Sequence, residues 1–347
     1  LKKLFYSLLK PLIRFGFFCY YQEVRMHGME QIPDDRPVVF LPNHQNALLD
    51  PLLIAAYIRG SRPYFLTRSD VFRGGVLGWI FDALRMIPIY RLRDGRETLS
   101  RNQEIFDRCA SLLGRGEQLL LFPEANHNLR RQVRPLSKGF TRIVIHTLRQ
   151  NPETDLVLLP VGINYHRAAG FPDRVAFYFD APIQARPFLS AGDANEVPRE
   201  MKKAVSRRLR KLTTHIPPER NYEETLATLE SGSPDWLQPG PVNKGLQGGD
   251  LSGMPRIPGR SGIGYRIWES AVRLLNFPAW ILWRWIARNK VWEPEFMSTF
   301  RFLYALLAFP VYLALIALAI RISGADPLYY WSLAGLFLFN LAYVKYR

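Results

Sequence analysis

An imidazole with a carboxylate a few residues away is the least equipment a general base needs, and this chain has such a pair at His44 and Asp50. The pair lies in Pro42-Asn43-His44-Gln45-Asn46-Ala47-Leu48-Leu49-Asp50-Pro51, after an apolar run at 38–41 and before one at 51–58. The first reads as a short buried strand and the second as a helix, so the imidazole stands at a strand-to-helix turn. Taken alone, the same residues also read as a loop histidine followed by a helix start. Asp50 would then cap free N–H groups, and Pro51 would occupy the first helical position.

Three further segments change that balance. The apolar run at 118–122 breaks at Pro123-Glu124-Ala125-Asn126-His127-Asn128, so a carboxylate and a second imidazole emerge where a core strand ends. A basic loop follows, with Arg130, Arg131, Arg134 and Lys138 leading into a helix at 139–148. Cations beside the free N–H groups of a helix start suit a phosphate. The run at 156–165 reads as a buried strand interrupted by Pro160-Val161-Gly162. Between the first two boxes stands Met86-Ile87-Pro88-Ile89-Tyr90-Arg91.

In this order the four segments resemble the glycerophospholipid acyltransferase superfamily, whose boxes are Asn-His-x4-Asp, a second box ending in arginine, Phe-Pro-Glu-Gly and Val/Leu-Pro-Val-Gly. The resemblance covers residues 21–187. Two departures stand out: five residues separate His44 from Asp50, and Ala125 replaces the glycine after Phe-Pro-Glu. The longer spacing, the Arg-Pro-Leu-Ser-Lys-Gly stretch and the Asn-Tyr after the last box are similar to a branch containing fungal glycerol-3-phosphate/dihydroxyacetone-phosphate acyltransferases and bacterial relatives.

The resemblance implies transfer of a fatty acyl group from an acyl-CoA or acyl-carrier-protein thioester to a hydroxyl of glycerol-3-phosphate, dihydroxyacetone phosphate or lysophosphatidic acid. His44 would be the base and Asp50 its support. Arg91 is the first candidate for the acceptor phosphate, since a guanidinium makes paired bonds to phosphate oxygens. Arg134 and Lys138 come second, with Glu124, Asn43 and His127 also expected at the substrate; His127 is a rival base ranked below His44. His27, His146, His166 and His215 are expected to be structural or solvated. No residue cluster has convincing metal-ligand spacing, and no cofactor is expected.

The elements around these boxes predict an α/β fold, a largely parallel or mixed sheet flanked by helices. Strands are expected at 24–27, 38–41, 64–67, 86–90, 119–122, 156–164 and 174–179, and helices at 51–58, 76–84, 97–113, 139–148 and 193–216. Residues 1–21 read as an amphipathic, membrane-associated helix, with Lys3, Ser7, Lys10 and Arg14 opposite Leu4, Phe5, Leu8, Leu9, Leu12 and Ile13. No small-residue cleavage site follows it, so a signal peptide is not expected. Residues 22–220 form the expected catalytic domain and the Gly/Pro-rich stretch 231–264 a flexible linker.

Residues 265–347 read as a membrane region: an aromatic, basic interfacial helix at 265–292, then a transmembrane hairpin at 302–320 and 328–344. Basic residues outside the hairpin (Arg284, Arg288, Lys290, Arg301, Lys345 and Arg347) place both ends in the cytoplasm, and so the catalytic domain on the cytoplasmic face of the cell membrane. A net charge of +16 favours an anionic partner, read as membrane lipid because no nucleic-acid-binding motif is present. Cys19 and Cys109 suggest no disulfide framework. The competing function is a non-catalytic, lipid-binding membrane adaptor that keeps the fold, motivated by Ala125 and the longer His44–Asp50 gap.

Overall fold

The computed structural model describes residues 2–58, 60, 62–68, 82–90, 97–190, 193, 195–257, 262–324 and 326–346. Its centre is an eight-stranded mixed sheet built from β1 (Tyr21–His27), β2 (Val38–Pro42), β3 (Tyr64–Arg68), β4 (Met86–Ile89), β5 (Leu119–Leu120), β6 (Val157–Tyr165), β7 (Asp173–Phe179) and β8 (Ile183–Gln184). The spatial order is β1-β7-β6-β2-β5-β3-β4, with β8 on β6. Neighbours run parallel except where β7 and β8 pair antiparallel with β6.

Strands covered on both faces read as continuous apolar runs, and β2 and β6 are buried along their whole length. Alternate side chains enter opposite layers. Phe40, Leu159 and Ile163 meet α1 (Lys2–Tyr20) and α2 (Leu49–Tyr57) on one face. Val39, Leu41 and Leu158 meet α3 (Glu97–Gly114), α4 (Gly139–Gln150) and α5 (Glu196–Leu212) on the other. Pro160 is tolerated inside a central strand because it falls between two registers. β8 pairs with 157–158 and β7 only from 161 onward, so no ladder donor is missing there. Gly162 has a different reason: a Cβ there would stand 2.3 Å from the Leu212 carbonyl, where the end of α5 crosses β6.

The expected strands and helices of this layer are present, each within a few residues of its expected bounds, except that β8 went unrecognised and most of the expected helix at 76–84 lies outside the described residues. The linker expectation needs correction. Residues 231–264 include α7 (Pro239–Gly248), preceded by α6 (Tyr222–Ser231), and Trp236, Val242, Leu246 and Met254 pack with Ile216 and Leu229 into a small core. That core is pinned to the sheet domain: the Arg131 guanidinium lies 3.8 Å over the Trp236 ring and the Tyr178 hydroxyl donates to Leu237 O. Sparse but well-spaced apolar residues outweigh the Gly/Pro composition.

The C-terminal region holds α8 (Ile263–Leu275), α9 (Phe277–Asn289), α10 (Met297–Ile322) and α11 (Trp331–Tyr346). The expected single helix at 265–292 is split at Asn276, with Pro278 in the first turn of α9. One helical stretch among the described residues, Pro294–Ile322, is long and apolar enough to cross a bilayer by length and composition. The second expected span is not among the helical stretches that meet this test. A 3-10 turn at Pro327–Tyr330, capped by Asp326, takes its first residues and runs directly into the 16-residue α11. Arg301, expected as a flanking charge, instead donates to the Ala169 and Gly170 carbonyls.

Helix α1 is amphipathic, but its polar side faces the protein. Lys10 donates to Ile58 O at 2.7 Å, Ser7 accepts from Arg62 at 3.2 Å and the Arg14 guanidinium lies over Tyr57. Leu8, Leu12, Phe15 and Phe18 are left exposed.

Candidate active site

Strand β2 delivers the first site residues. Beyond Pro42, the Asn43 backbone N–H still donates to Val161 O, and its side-chain amide brackets Ile163, accepting from its N–H at 2.6 Å and donating to its carbonyl at 3.1 Å. Both ends of the Asn43 amide are used in fastening β2 to β6.

The chain then turns out of the sheet, and the His44 ring stacks on Phe122 with centroids 3.8 Å apart. His44 Nδ1 lies 2.8 Å from Asp50 Oδ2. The same oxygen accepts the backbone N–H groups of Gln45 and Asn46 at 2.9 and 2.8 Å, and Oδ1 accepts the Tyr165 hydroxyl at 2.7 Å. Asp50 belongs to the first turn of α2, yet its carboxylate reaches back over the loop instead of capping forward. It is fully buried. Against this carboxylate the ring places its proton on Nδ1, which leaves Nε2 as the basic nitrogen.

Tyr165 is the residue that the sequence reading missed. Burial, with Asp50 beside it, holds its phenol well above the usual range, so it remains a hydrogen-bond donor. The available signal was its place at the end of the fourth box, on the strand flanking β2 opposite β5.

Glu124 follows β5, and β5 lies directly beside β2, so two neighbouring parallel strands bring loops 80 positions apart in sequence together at their C-terminal ends. The loops are joined by Asn128 N–H donating to His44 O at 3.0 Å. Burial raises the Glu124 carboxyl above its ordinary value, opposed by Arg134, which donates through Nε at 3.1 Å and a terminal nitrogen at 2.6 Å. Arg134 also binds Asn126 through its side-chain and backbone oxygens. Its guanidinium is thus held by Glu124 and Asn126. Arg131, half-buried, donates to the Tyr165 and His166 carbonyls, and desolvation there holds it down to about 10. Lys138 is exposed at the cavity wall. Arg91, the first candidate for phosphate, lies outside the described residues.

Ala125 has φ of 65°, in the left-handed region that glycine occupies freely and alanine does not. The departure from the family box therefore carries a backbone cost at that position.

These groups open onto a cavity of about 1630 Å³. His44, Glu124, His127 and Lys138 supply polar groups, while Leu66, Ile89, Phe106 and Ile145 line it with hydrocarbon. His127 stands edge-on to His44 with ring centroids 5.5 Å apart, and its Nε2 lies 3.1 Å from Glu293 Oε2. His127, Glu293 and Glu295 each offer a ligand atom within 4.8 Å of one another, a grouping hidden in sequence because 293 and 295 are remote from 127. A second cavity of about 690 Å³ runs between α9 and α10, and Phe300 lines both.

Residues 23–164 match the model of the family described as Acyltransferase. Among curated proteins, the chain is similar to an uncharacterized acyltransferase of Schizosaccharomyces pombe, 21% identical over 47% of this chain and 37% of the relative. It is 31% identical to a 1-acyl-sn-glycerol-3-phosphate acyltransferase of Chlamydomonas reinhardtii over 34% of each, and 27% identical to glycerol-3-phosphate O-acyltransferase 1 of Saccharomyces cerevisiae over 27% of this chain and 13% of that one. The chain thus spans little more than a third, or less, of the length of these relatives. Among solved structures, it is similar to the 1-acyl-sn-glycerophosphate acyltransferase PlsC of Thermotoga maritima, with a TM-score of 0.45 and 20% identity over 61% of this chain and 80% of that one.

Proposed function

We propose that the chain, whose residues 23–164 match the Acyltransferase family model, transfers a fatty acyl group from a thioester to a hydroxyl of a phosphorylated glycerol in phospholipid synthesis. The observation that carries this reading is the 2.8 Å contact between His44 Nδ1 and a fully buried Asp50, at the wall of a cavity that is part polar and part hydrocarbon. His44 Nε2 takes the acceptor's hydroxyl proton as the oxygen attacks the thioester carbonyl, and Asp50 stabilises the imidazolium that forms. The tetrahedral intermediate collapses with loss of the thiolate, which receives the proton back from His44. No enzyme-bound acyl group is required. A positioned base of this kind contributes roughly 100- to 10,000-fold.

Glycerol-3-phosphate, dihydroxyacetone phosphate and lysophosphatidic acid are the candidate acceptors, with Arg91 and Lys138 as phosphate contacts and Glu124 near the glycerol. The donor is acyl-CoA or an acyl-carrier protein. The exposed apolar residues of α1 (Leu8, Leu12), α9 (Leu282, Trp285) and α10 (Leu307, Leu315) support contact with a bilayer, and the excess of basic residues suits anionic lipid and a cytoplasmic face of the cell membrane. The adaptor reading has the left-handed Ala125 in its favour, whereas the intact His44–Asp50 contact favours the enzyme.

Purified chain in lipid, given labelled acyl-CoA or acyl-carrier protein with each of the three acceptors, tests the proposal. Product from at least one pairing is expected. A folded protein that transfers to none is an adaptor.

A further inference from the structure

The segment between α9 and α10 lies well beyond the acyltransferase domain, yet it closes one side of the candidate active site. Ala47 N–H donates to Glu295 O at 3.3 Å and Leu48 N–H to Thr299 Oγ1 at 3.2 Å, so the loop that carries His44 is tied to the 3-10 turn Pro294–Phe296 and to the first turn of α10 that follows it. Ser298 Oγ donates to Ala168 O at 2.7 Å, and the Asn46 amide donates to the same carbonyl at 2.8 Å. Phe296, Thr299 and Phe300 line the cavity that holds His44. Phe296 packs edge-on against the His127 ring, with centroids 4.9 Å apart. A helix serving only as an anchor has no reason to hold the base-bearing loop at two successive N–H groups.

Within this wall, Glu293 takes His127 Nε2 at 3.1 Å. The His127 side chain is 14% exposed and that of Glu293 65%. So open a contact adds little to stability, but it decides which ring nitrogen carries the proton and how the ring is turned. A proton on Nε2, shared with the carboxylate, leaves Nδ1 for a substrate atom. His44 and His127 are close enough that an acceptor giving one hydroxyl to His44 places a neighbouring oxygen beside His127.

We infer that Glu293 is a positioning residue for His127, and that the 293–300 segment makes the site able to seat the polar head of the acceptor. The inference rests on the acyl-transfer reading and goes beyond it, because it assigns part of acceptor recognition to a segment outside the family domain.

The test compares Glu293→Ala, Glu293→Gln, His127→Ala and the Glu293→Ala/His127→Ala double variant in the full chain. Glu293→Ala is expected to lower kcat/KM for the acceptor about tenfold, the size of coupling typical of neighbouring residues, with the donor KM unchanged. Glu293→Gln, whose amide oxygen still accepts from Nε2–H, should keep most of the activity. In the His127→Ala background, Glu293→Ala should have no further effect. Fully additive losses, equal changes in donor and acceptor KM, or activity that is lost to a chelator and restored by Mn²⁺ or Zn²⁺ overturn the inference. Nitrogen chemical shifts of the His127 ring supply a readout independent of turnover. They should move in Glu293→Ala and hold in Glu293→Gln, and shifts that ignore both changes overturn the pairing. A wild-type chain that transfers to no acceptor defeats the functional reading instead, and leaves the nitrogen shifts to judge the pair.

Discussion

His44 and His127 face the same cavity but are held by carboxylates of opposite character. Asp50 is fully buried and takes donors on both oxygens, from its own loop and from Tyr165 at the end of β6. Glu293 is mostly exposed and comes from a segment that the sheet does not build. The first pair is welded into the fold, so chemistry and stability are joined there. The second is attached from outside, so it can tune the reaction without holding the protein together.

The largest effect should come from breaking the welded pair. Asp50→Ala strands the Tyr165 hydroxyl and two backbone N–H groups in a buried site, where each unsatisfied group costs about 1–3 kcal/mol, and it frees the His44 ring. A fall in kcat of at least about 100-fold, together with a lower melting temperature, is expected; a large loss of rate without loss of stability would separate what the comparison joins. Tyr165→Phe removes one donor and keeps the packing. It should cost about 1.5–3 kcal/mol, the usual worth of a hydrogen bond to a charged group, read from denaturant unfolding, with a smaller fall in kcat. Glu293→Ala, by contrast, should leave the melting temperature unchanged.

A smaller effect is expected between the two pairs, in the loop from Glu124 to His127. Ala125→Gly relieves a left-handed backbone and should stabilise the chain by about 1 kcal/mol, since that conformation costs an L-residue roughly 1–2 kcal/mol and the added unfolded-state freedom of glycine takes back part of the gain. An unchanged or lower melting temperature would show that the φ of 65° is not strained.

The mildest test uses pH. His166 and His215 are each held down to about 4, first by burial and then by arginine charge (Arg131, Arg167 and Arg174 at His166, Arg210 at His215), and His215 Nδ1 accepts the Val133 N–H at 3.0 Å, which requires a neutral ring. Because folding disfavours protonation, the stability these residues contribute is present above the ordinary histidine value near 6.5 and is lost as pH falls toward 4. His215→Asn should flatten the decline of melting temperature over that window; an unaltered slope would remove His215 from the account.

Much of this was legible because strands buried on both faces announce themselves as apolar runs, and the boxes fall where those runs end. His44 and Asp50 were readable as a pair because they are near each other in sequence. Tyr165 and Glu293 were not, since their partners arrive only through the order of strands and the return of a distant segment. Asn43 and Arg134 show the opposite difficulty. Their side chains suit a ligand, but strand pairing and a buried Glu124 claim them first. In 231–264, composition pointed to a linker, whereas the spacing of Trp236, Val242, Leu246 and Met254 makes a small core.

The most direct measurement is the single-turnover rate of acyl transfer from labelled donor to the preferred acceptor by wild type and His44→Ala, each confirmed as folded by its melting temperature. A loss of at least about 100-fold is expected in the variant. A variant that melts like wild type and transfers at a similar rate contradicts it, and hands the base to another residue.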